Sequence, residues 1–495
     1  MIVMKFGGSS LESAEALERV AAIVSSEIDR KPIVVVSAMG NTTDQLIAVS
    51  KEAGRCHGYE VWKAIKELQE FHLNEAHRVV QDDAMAWLEL SLRRQFRDLH
   101  VKLLSAADEG CPLTPALRDE VLSYGERWSS EVVAAVLQSS GVPAVHLDSR
   151  RVILTDAQYS DAKPLLWETY AKIRRVIPTL GKGRVVVMGG FIGAAEDGTT
   201  TTMGRGGSDL TATLVGAGVS ADEVQVWKDV DGLLTCDPKL LPGGYRVKSV
   251  SYGEAAAMAK AGAKLLHPET VSPVIRQRIP IVIRNSRRPN VEGTAIEAVA
   301  QPCKNPVKSI SCKQTLTVLE VRSNTEGEAD TMAEALEKLC ARNNVRVEFS
   351  GSTGKTLFLG VNSCEQLQSL AYSNQAGLSG LHAHAHSHSA LITLVGEGIH
   401  STPGLMARAV AALRDFPVVC VPDDGSGLKL SLIVPQPALK QSVALLHREF
   451  FEEVDPAVFT ASEGRAGSIE RATCAAPPSS GRVPGTRPFP QPSPA

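Results

Sequence analysis

The sequence predicts an α/β protein in two parts: a parallel sheet with helices on both faces over about residues 1–300, followed by two small α+β units. Three observations predict this. Continuous apolar runs such as Ile33–Met39 alternate with helically spaced stretches, the mark of a sheet buried on both sides. Two glycine-rich loops, Lys5–Ser10 and Met203–Asp209, stand where a strand hands over to a helix. Beyond residue 307 a strand–helix–strand–strand pattern occurs twice.

Taken in order, Met1–Phe6 is a short apolar strand. Ser9–Ile28 carries Leu11, Ala14, Leu17, Ala21, Val24 and Ile28 at helical spacing, and Ile33–Met39 is the next strand. Together they make a βαβ unit with a right-handed crossover. Residues 46–118 read as a helical insertion, rich in Glu, Arg and His, that would serve as a lid or partner surface. Helix Val121–Gly141 and strand Val142–Leu147 follow. Next come strand Arg184–Met188, a polar loop Asp197–Asp209, helix Leu210–Val219 and strand Val224–Trp227. Helix Tyr252–Ala261 stops at Gly262, and strand Ile281–Arg284 closes the part. The first small unit covers residues 307–370 and the second 390–455, with 371–389 as a linker between them. Residues 461–495 are rich in Pro, Ser, Gly and Ala, and are expected to be disordered.

Composition narrows the function classes. The 495 residues suggest about three domains. The 52 Lys+Arg against 55 Asp+Glu leave a net charge of −3, which gives no footprint for nucleic acid or an anionic membrane. Aromatics at 5% are too few for base-stacking platforms. No apolar run is long enough to span a bilayer, and Met1–Phe6 followed by Gly7-Gly8 reads as strand and loop rather than signal peptide. Nine cysteines without a CxxC pair suit reduced thiols, so a cytoplasmic location is expected.

The chemistry begins at Lys5-Phe6-Gly7-Gly8-Ser9-Ser10. Two glycines let backbone N–H groups approach a phosphate, a helix N-terminus adds a positive dipole, and Lys5 adds a full charge. The lysine precedes the glycines, so this is no Walker loop, and a purely structural βα turn is the competing reading. Met203-Gly204-Arg205-Gly206-Gly207-Ser208-Asp209 suits a second phosphate or a carboxylate, or else is an Asp-capped glycine turn. Trp227–Gly232 and Asp237-Pro238-Lys239 form a third piece that turn chemistry alone would also explain.

These loops stand in one order with Val36-Ser37-Ala38-Met39-Gly40, Gly189-Gly190-Phe191-Ile192-Gly193 and Gly262-Ala263-Lys264-Leu265-Leu266-His267-Pro268. Together they resemble the aspartate kinases of the amino acid kinase fold, a carbamate kinase-like parallel-sheet sandwich. The tandem small units resemble that family's paired, ferredoxin-like ACT domains. The resemblance implies ATP-dependent phosphorylation of the side-chain carboxylate of L-aspartate, with Mg²⁺ held mostly by ATP oxygens and water. It places Lys5 on the transferring phosphate, Gly7, Gly8 and Ser9 as its cradle, and Lys264 as a second cation, with Asp209 holding the lysines. Arg205 would pair with the substrate α-carboxylate and Glu126 with its ammonium, although from sequence alone Glu126 reads as a solvated helix carboxylate. Ser37, Thr43 and Ser208 match hydroxyl contacts. The nucleotide segment departs from the family pattern: Lys228 replaces a threonine beside Asp229, Leu234 replaces a tyrosine, and Lys239 stands where an arginine is common. With Leu265, these residues are the expected ATP contacts. No protein-held metal is expected.

The resemblance also implies feedback inhibition by an end-product amino acid, lysine or threonine, at the ACT pair, and a homodimer or a dimer of such dimers. The second copy keeps Leu394–Gly398 and Ser401–Gly404. The first carries an acidic loop, Arg322–Asp330, so it binds a different effector or none. Two lookalikes are set aside. Gly351–Thr356 lacks the first glycine of a phosphate loop. His382, His384, His386 and His388 read as a solvated linker, with metal chelation the alternative. About 35 residues remain after Thr460, so no homoserine dehydrogenase domain is expected. The competing functions are another amino acid kinase, and a catalytically weak amino acid sensor.

Overall fold

The computed structural model describes residues 1–109, 112–263, 268–322, 328–342, 345–353, 355–362, 382–421 and 425–462. In chain order it begins with β1 (Ile2–Phe6), α1 (Ala14–Ser26), β2 (Pro32–Val36), α2 (Thr42–Ala53), α3 (Gly58–His77), α4 (Asp82–Glu109) and α5 (Pro115–Ser139). Then come β3 (Ala144–Leu147), α6 (Leu166–Leu180), β4 (Val185–Gly189), β5 (Ile192–Ala194), β6 (Thr200–Thr202), α7 (Gly207–Val219) and β7 (Glu223–Lys228). Next are β8 (Tyr245–Val247), β9 (Ser249–Ser251), α8 (Tyr252–Lys260), α9 (Ser272–Ile275), β10 (Ile281–Asn285) and β11 (Thr294–Glu297). The C-terminal part holds β12 (Ser309–Arg322), α10 (Glu328–Arg342), β13 (Val347–Thr353), β14 (Thr356–Val361) and β15 (His382–Val395). It ends with helix Leu405–Ala412, β16 (Val419–Val421), β17 (Lys429–Pro435), helix Leu439–Phe451 and β18 (Phe459–Ala461).

The chain divides into two compact units. One is Met1–Leu233, Lys248–Tyr252 and Leu265–Ala300; the other is Leu234–Val247, Gly253–Lys264 and the residues from Gln301 on. The boundary expected near residue 300 is therefore interleaved, because two earlier stretches fold with the C-terminal unit.

The first unit is built on a sheet of order β3-β4-β2-β1-β7-β10-β11-β9, whose strands pair in parallel except for β10 with β11. β1 is buried along its whole length, as expected for a strand covered on both faces. Ile2, Met4 and Phe6 join one cluster with α1–α5, whereas Val3 and Val224 lie against Gly216 of α7. A Cβ at Gly216 would sit 2.6 Å from Val224, so glycine is what lets α7 approach β7 this closely.

The helices over residues 46–118 do not form a separate lid. Val61, Leu68, Leu92, Phe96 and Leu103 share one core cluster with the sheet residues Met4, Val34 and Val187. Trp128 of α5 anchors that cluster, stacked on Phe96 at 3.9 Å between ring centres and edge-on to His72 at 5.1 Å. Burial pushes His72 down to about 4, so this imidazole stays neutral at the centre of the core.

Three further expectations are corrected. The glycine turn does not open α1: Gly8–Ser10 is a single 3₁₀ turn, and α1 starts at Ala14 with Ser13 as its cap. The polar stretch after Asp197 contains β6, which pairs antiparallel with β5. The histidines expected in a linker belong to β15, where His384 lies opposite Glu320 of β12 and His386 opposite Val318.

In the second unit the two βαββ patterns join in one antiparallel sheet, β13-β14-β12-β15-β17-β16, through the long β12–β15 pair. β18 pairs with β8, so Phe459–Ala461 is ordered. The tail from 463 on and the loop 323–327 lie outside the described residues.

Replacing Trp128 with Ala removes the centre of the N-terminal core. Large aromatic truncations of this kind cost about 3–5 kcal/mol. Thermal melting of the variant should show the midpoint several degrees lower; an unchanged midpoint would contradict the packing described.

Candidate active site

Parallel pairing puts the C-terminal ends of β1, β2, β4 and β7 on one edge of the sheet, the edge where open α/β sheets bind ligands. The backbone binds the loops there together. Gly7 N–H donates to Trp227 O at 3.2 Å, Ser37 N–H to Phe6 O at 3.1 Å, Gly40 N–H to Gly8 O at 3.1 Å and Gly190 N–H to Val36 O at 2.8 Å. Gly8 has no room for a side chain: a Cβ would lie 2.8 Å from Gly40 O and 2.9 Å from Ala38 O. Gly7, Gly8 and Ser9 are half-buried around this turn.

Lys5 ends β1 and Lys228 ends β7, and β1 and β7 are paired neighbours. Asp209 stands in the first turn of α7, after two glycines with left-handed backbone, Gly204 at φ 67° and Gly206 at φ 81°. Its Oδ1 lies 2.6 Å from Lys5 Nζ and its Oδ2 3.2 Å from Lys228 Nζ. Burial works against the Asp209 charge, but Lys5 and then Lys228 outweigh it and hold the carboxyl below its ordinary value. Lys228 is lowered, first by burial and further by Lys5, with Asp209 opposing. The sequence reading made Lys228 only an altered nucleotide contact; the structure makes it the third member of this buried cluster.

Glu126 sits on α5 and is 3% exposed, not a solvated helix carboxylate. Its Oε1 accepts from Ala38 N–H at 3.2 Å, and its Oε2 is buried without a hydrogen-bond partner. Gly189 lets the helix approach, because a Cβ there would lie 2.9 Å from that of Glu126. Burial pushes Glu126 up to about 8, with the Ala38 N–H and the Lys5 charge opposing only in part.

The other expected residues are placed less tightly. Ser208 follows Gly207 in α7, where a Cβ on Gly190 would lie 2.9 Å from its Oγ. Ser37 and Thr43 are half-buried, after β2 and in the first turn of α2. Arg205 is exposed and has no ion-pair partner among the described residues. Asp229 is exposed after β7. Leu234 and Lys239 fall in the second compact unit. Lys264 and Leu265 lie outside the described residues. Sequence reasoning missed Ser286, whose hydroxyl meets that of Ser10 at 2.8 Å while its N–H donates to Lys228 O at 2.8 Å. Ser286 directly follows β10 and lies outside every motif named above.

Comparison with known proteins places this geometry. Residues 1–285 match the amino acid kinase family and residues 392–450 an ACT domain. Aspartokinase 2, chloroplastic, of Arabidopsis thaliana is 31% identical over 481 residues, covering 92% of this chain and 85% of that protein. Lysine-sensitive aspartokinase 3 of Escherichia coli strain K12 is 30% identical over 466 residues, covering 91% of this chain and 99% of that protein. The crystal structure of E. coli aspartokinase III with aspartate and ADP matches with a TM-score of 0.76 at 26% identity, over 91% of this chain and 100% of that one. The chain belongs to the amino acid kinase family, in its aspartokinase branch.

The Glu126 environment has a consequence for stability. Its pKa rises from 4.5 in the unfolded chain to about 8 in the folded protein. Between those values the unfolded chain has released a proton that the folded protein keeps, so stability falls as pH rises through the window. Glu126→Gln removes this dependence. Melting curves at about pH 5 and about pH 8 should show the wild type losing more than the variant; parallel losses would contradict a raised Glu126.

Proposed function

We propose that this chain transfers the γ-phosphoryl group of ATP to the side-chain carboxylate of L-aspartate, giving ADP and 4-phospho-L-aspartate. This is the first step toward lysine, threonine, methionine and diaminopimelate. The observation that carries the reading is Glu126, a buried carboxyl whose Oε2 lacks a partner. Such an atom is costly to leave unpaired and suits a ligand ammonium. The family membership and the relative solved with aspartate and ADP support the same substrates.

In this reading Glu126 ionises as it takes the substrate ammonium, and Arg205 offers its guanidinium fork to the α-carboxylate. Ser37, Thr43 and Ser208 orient the substrate. Lys5 and Lys228 carry two positive charges against the single charge of Asp209, which leaves one in excess for the phosphates. Gly8 and Ser9 supply backbone N–H groups to the phosphates, and Gly7, whose own N–H is held by Trp227 O, shapes the cradle. Lys264 adds a further cation, and Asp229, Leu234, Lys239 and Leu265 contact the nucleotide. ATP would bring the phosphoryl group, and Mg²⁺ bound with it would supply charge neutralisation, with no residue of this chain expected to hold the metal directly. The attacking carboxylate is already ionised near neutral pH, so the protein needs no general base.

The C-terminal sheet takes an amino-acid effector, lysine or threonine, in agreement with the matched ACT domain and the lysine-sensitive relative. Its outer strands are β13 and β16, and the family's ACT units pair between subunits, so we assign a homodimer. No helix among the described residues is long and apolar enough to cross a membrane, and we assign the enzyme to the cytoplasm.

Purified protein with Mg-ATP should release ADP only when L-aspartate is present, and hydroxylamine should trap the acyl phosphate. Losing one partner of a buried charge pair costs about 2–5 kcal/mol, so Glu126→Gln should raise KM for aspartate roughly 30-fold or more. Calorimetry in buffers of different ionisation enthalpy should show aspartate binding near neutral pH releasing close to one proton in the wild type and none in the variant. Aspartate-independent turnover, or unchanged KM in Glu126→Gln, would refute the assignment. Adding lysine or threonine singly should inhibit turnover through one of them; no effect from either would refute the effector reading.

A further inference from the structure

Asp119 is completely buried on α5, yet among the described residues no lysine or arginine pairs with it. Burying a carboxylate is unfavourable unless donors surround it. Here they come from two separate segments. Ser160 N–H lies 3.0 Å from Oδ1 and 2.8 Å from Oδ2, and Ser160 Oγ–H lies 3.3 Å from Oδ1. Thr202 N–H donates to Oδ2 at 2.7 Å. The two segments are joined to each other as well, since Ala162 N–H donates to Thr202 O at 3.0 Å. Ser160 holds a left-handed backbone at φ 72°, a conformation that a serine adopts only when its surroundings impose it.

The chain leads directly from this anchor to the substrate arginine. Thr202 is followed by Met203, Gly204 and Arg205. Gly204 lies so close to the anchored loop that a Cβ on it would sit 2.8 Å from Asp161 Oδ1 and 3.3 Å from Ser160 O. Arg205 itself is exposed, so only the backbone beneath it fixes where its side chain begins. Asp119 and Glu126 stand seven residues apart on α5. Two helical turns put them on one face, about 10 Å apart along the axis. One helix thus carries the carboxyl for the substrate ammonium and pins the loop that carries the guanidinium for the substrate carboxylate.

We propose that Asp119 is a positioning residue for aspartate recognition: it fixes the base of Arg205 relative to Glu126 without touching the substrate. This rests on the roles given above to Arg205 and Glu126. Asp119→Asn keeps the shape but turns an amide N–H toward one of the backbone donors. A disrupted buried hydrogen bond of this kind should raise KM for aspartate about tenfold or more. KM for Mg-ATP should stay within about twofold and kcat should fall little, a split that general loosening of the fold would not give.

The test is a double-mutant cycle of wild type, Asp119→Asn, Arg205→Ala and the double variant, each with KM for both substrates. If Asp119 works through Arg205, Asp119→Asn adds no further rise in KM for aspartate once Arg205 is gone. Additive rises, or equal rises in both KM values, would overturn the positioning role while leaving Arg205 in place. If Arg205→Ala alone leaves KM for aspartate unchanged, the site reading fails and the proposal fails with it. Should Asp119→Asn not fold, Ser160→Ala removes only the hydroxyl contact. It should raise KM for aspartate about two- to fourfold in the wild-type background and not at all with Arg205→Ala; no rise in the wild-type background overturns the proposal.

Discussion

A buried Asp209 held between Lys5 and Lys228 is the constraint around which the N-terminal unit is arranged. Parallel pairing makes the ends of β1 and β7 neighbours, which brings two ammonium groups to one point of the sheet edge. Two like charges close together and out of water repel strongly unless an anion lies between them. Asp209 supplies it from the first turn of α7, where the helix dipole also favours a carboxylate. The requirement reaches into the helix packing: α7 must lie close to both strands, and glycine at 216 makes that approach possible. The cluster keeps one net positive charge, so the same arrangement that holds helix to sheet is complementary to a phosphate chain.

Three buried carboxyls in this unit meet three different surroundings, and the contrast separates scaffold from site. Asp209 is satisfied by lysines and held ionised. Asp119 is satisfied by backbone N–H groups and a hydroxyl. Glu126 has one N–H donor and an unpartnered oxygen, and burial raises its pKa to about 8. Only the last is left wanting a cation. A neutral carboxyl is inexpensive to bury, and in the proposed reading the substrate ammonium would convert it to a carboxylate. Environment, rather than residue type, thus divides the roles.

Much of this was legible in the sequence. Apolar runs and glycine loops marked β1, β2, β4, β7 and β10 and the residues at their ends, because a doubly covered parallel sheet leaves a strong periodic trace. Lys5, Asp209, Glu126 and Arg205 were named through their motifs. What was not legible depended on partners distant in the chain. Thr200–Thr202 is short and polar, and becomes a strand only beside β5. The His-Ala alternation of 382–386 has the period of a strand but not the hydrophobicity, and β12 supplies the pairing. The helices over 46–118 gave their period but not their partner, which is the sheet core itself. Asp119 lies in a charged run, Arg118-Asp119-Glu120, that looks like helix surface until Ser160 and Thr202 are brought against it.

The C-terminal unit answers a related question by a different route. Lys308, just before β12, pairs with Glu254 of α8 at 2.9 Å, and both side chains are buried. The other oxygen of Glu254 accepts from Glu397 N–H at 3.0 Å, just after β15. One carboxylate therefore joins α8 to the ends of the two central strands of the sheet. Breaking a buried pair by removing one partner costs about 3–5 kcal/mol, so neither strand end can shift freely unless α8 moves with it. A Cβ at Gly262, after that helix, would lie 2.7 Å from Cys312 O of β12, which adds a steric contact to the ionic one. Glu254 and Gly262, at the two ends of this stretch, are thus both held against the sheet that includes the matched ACT domain.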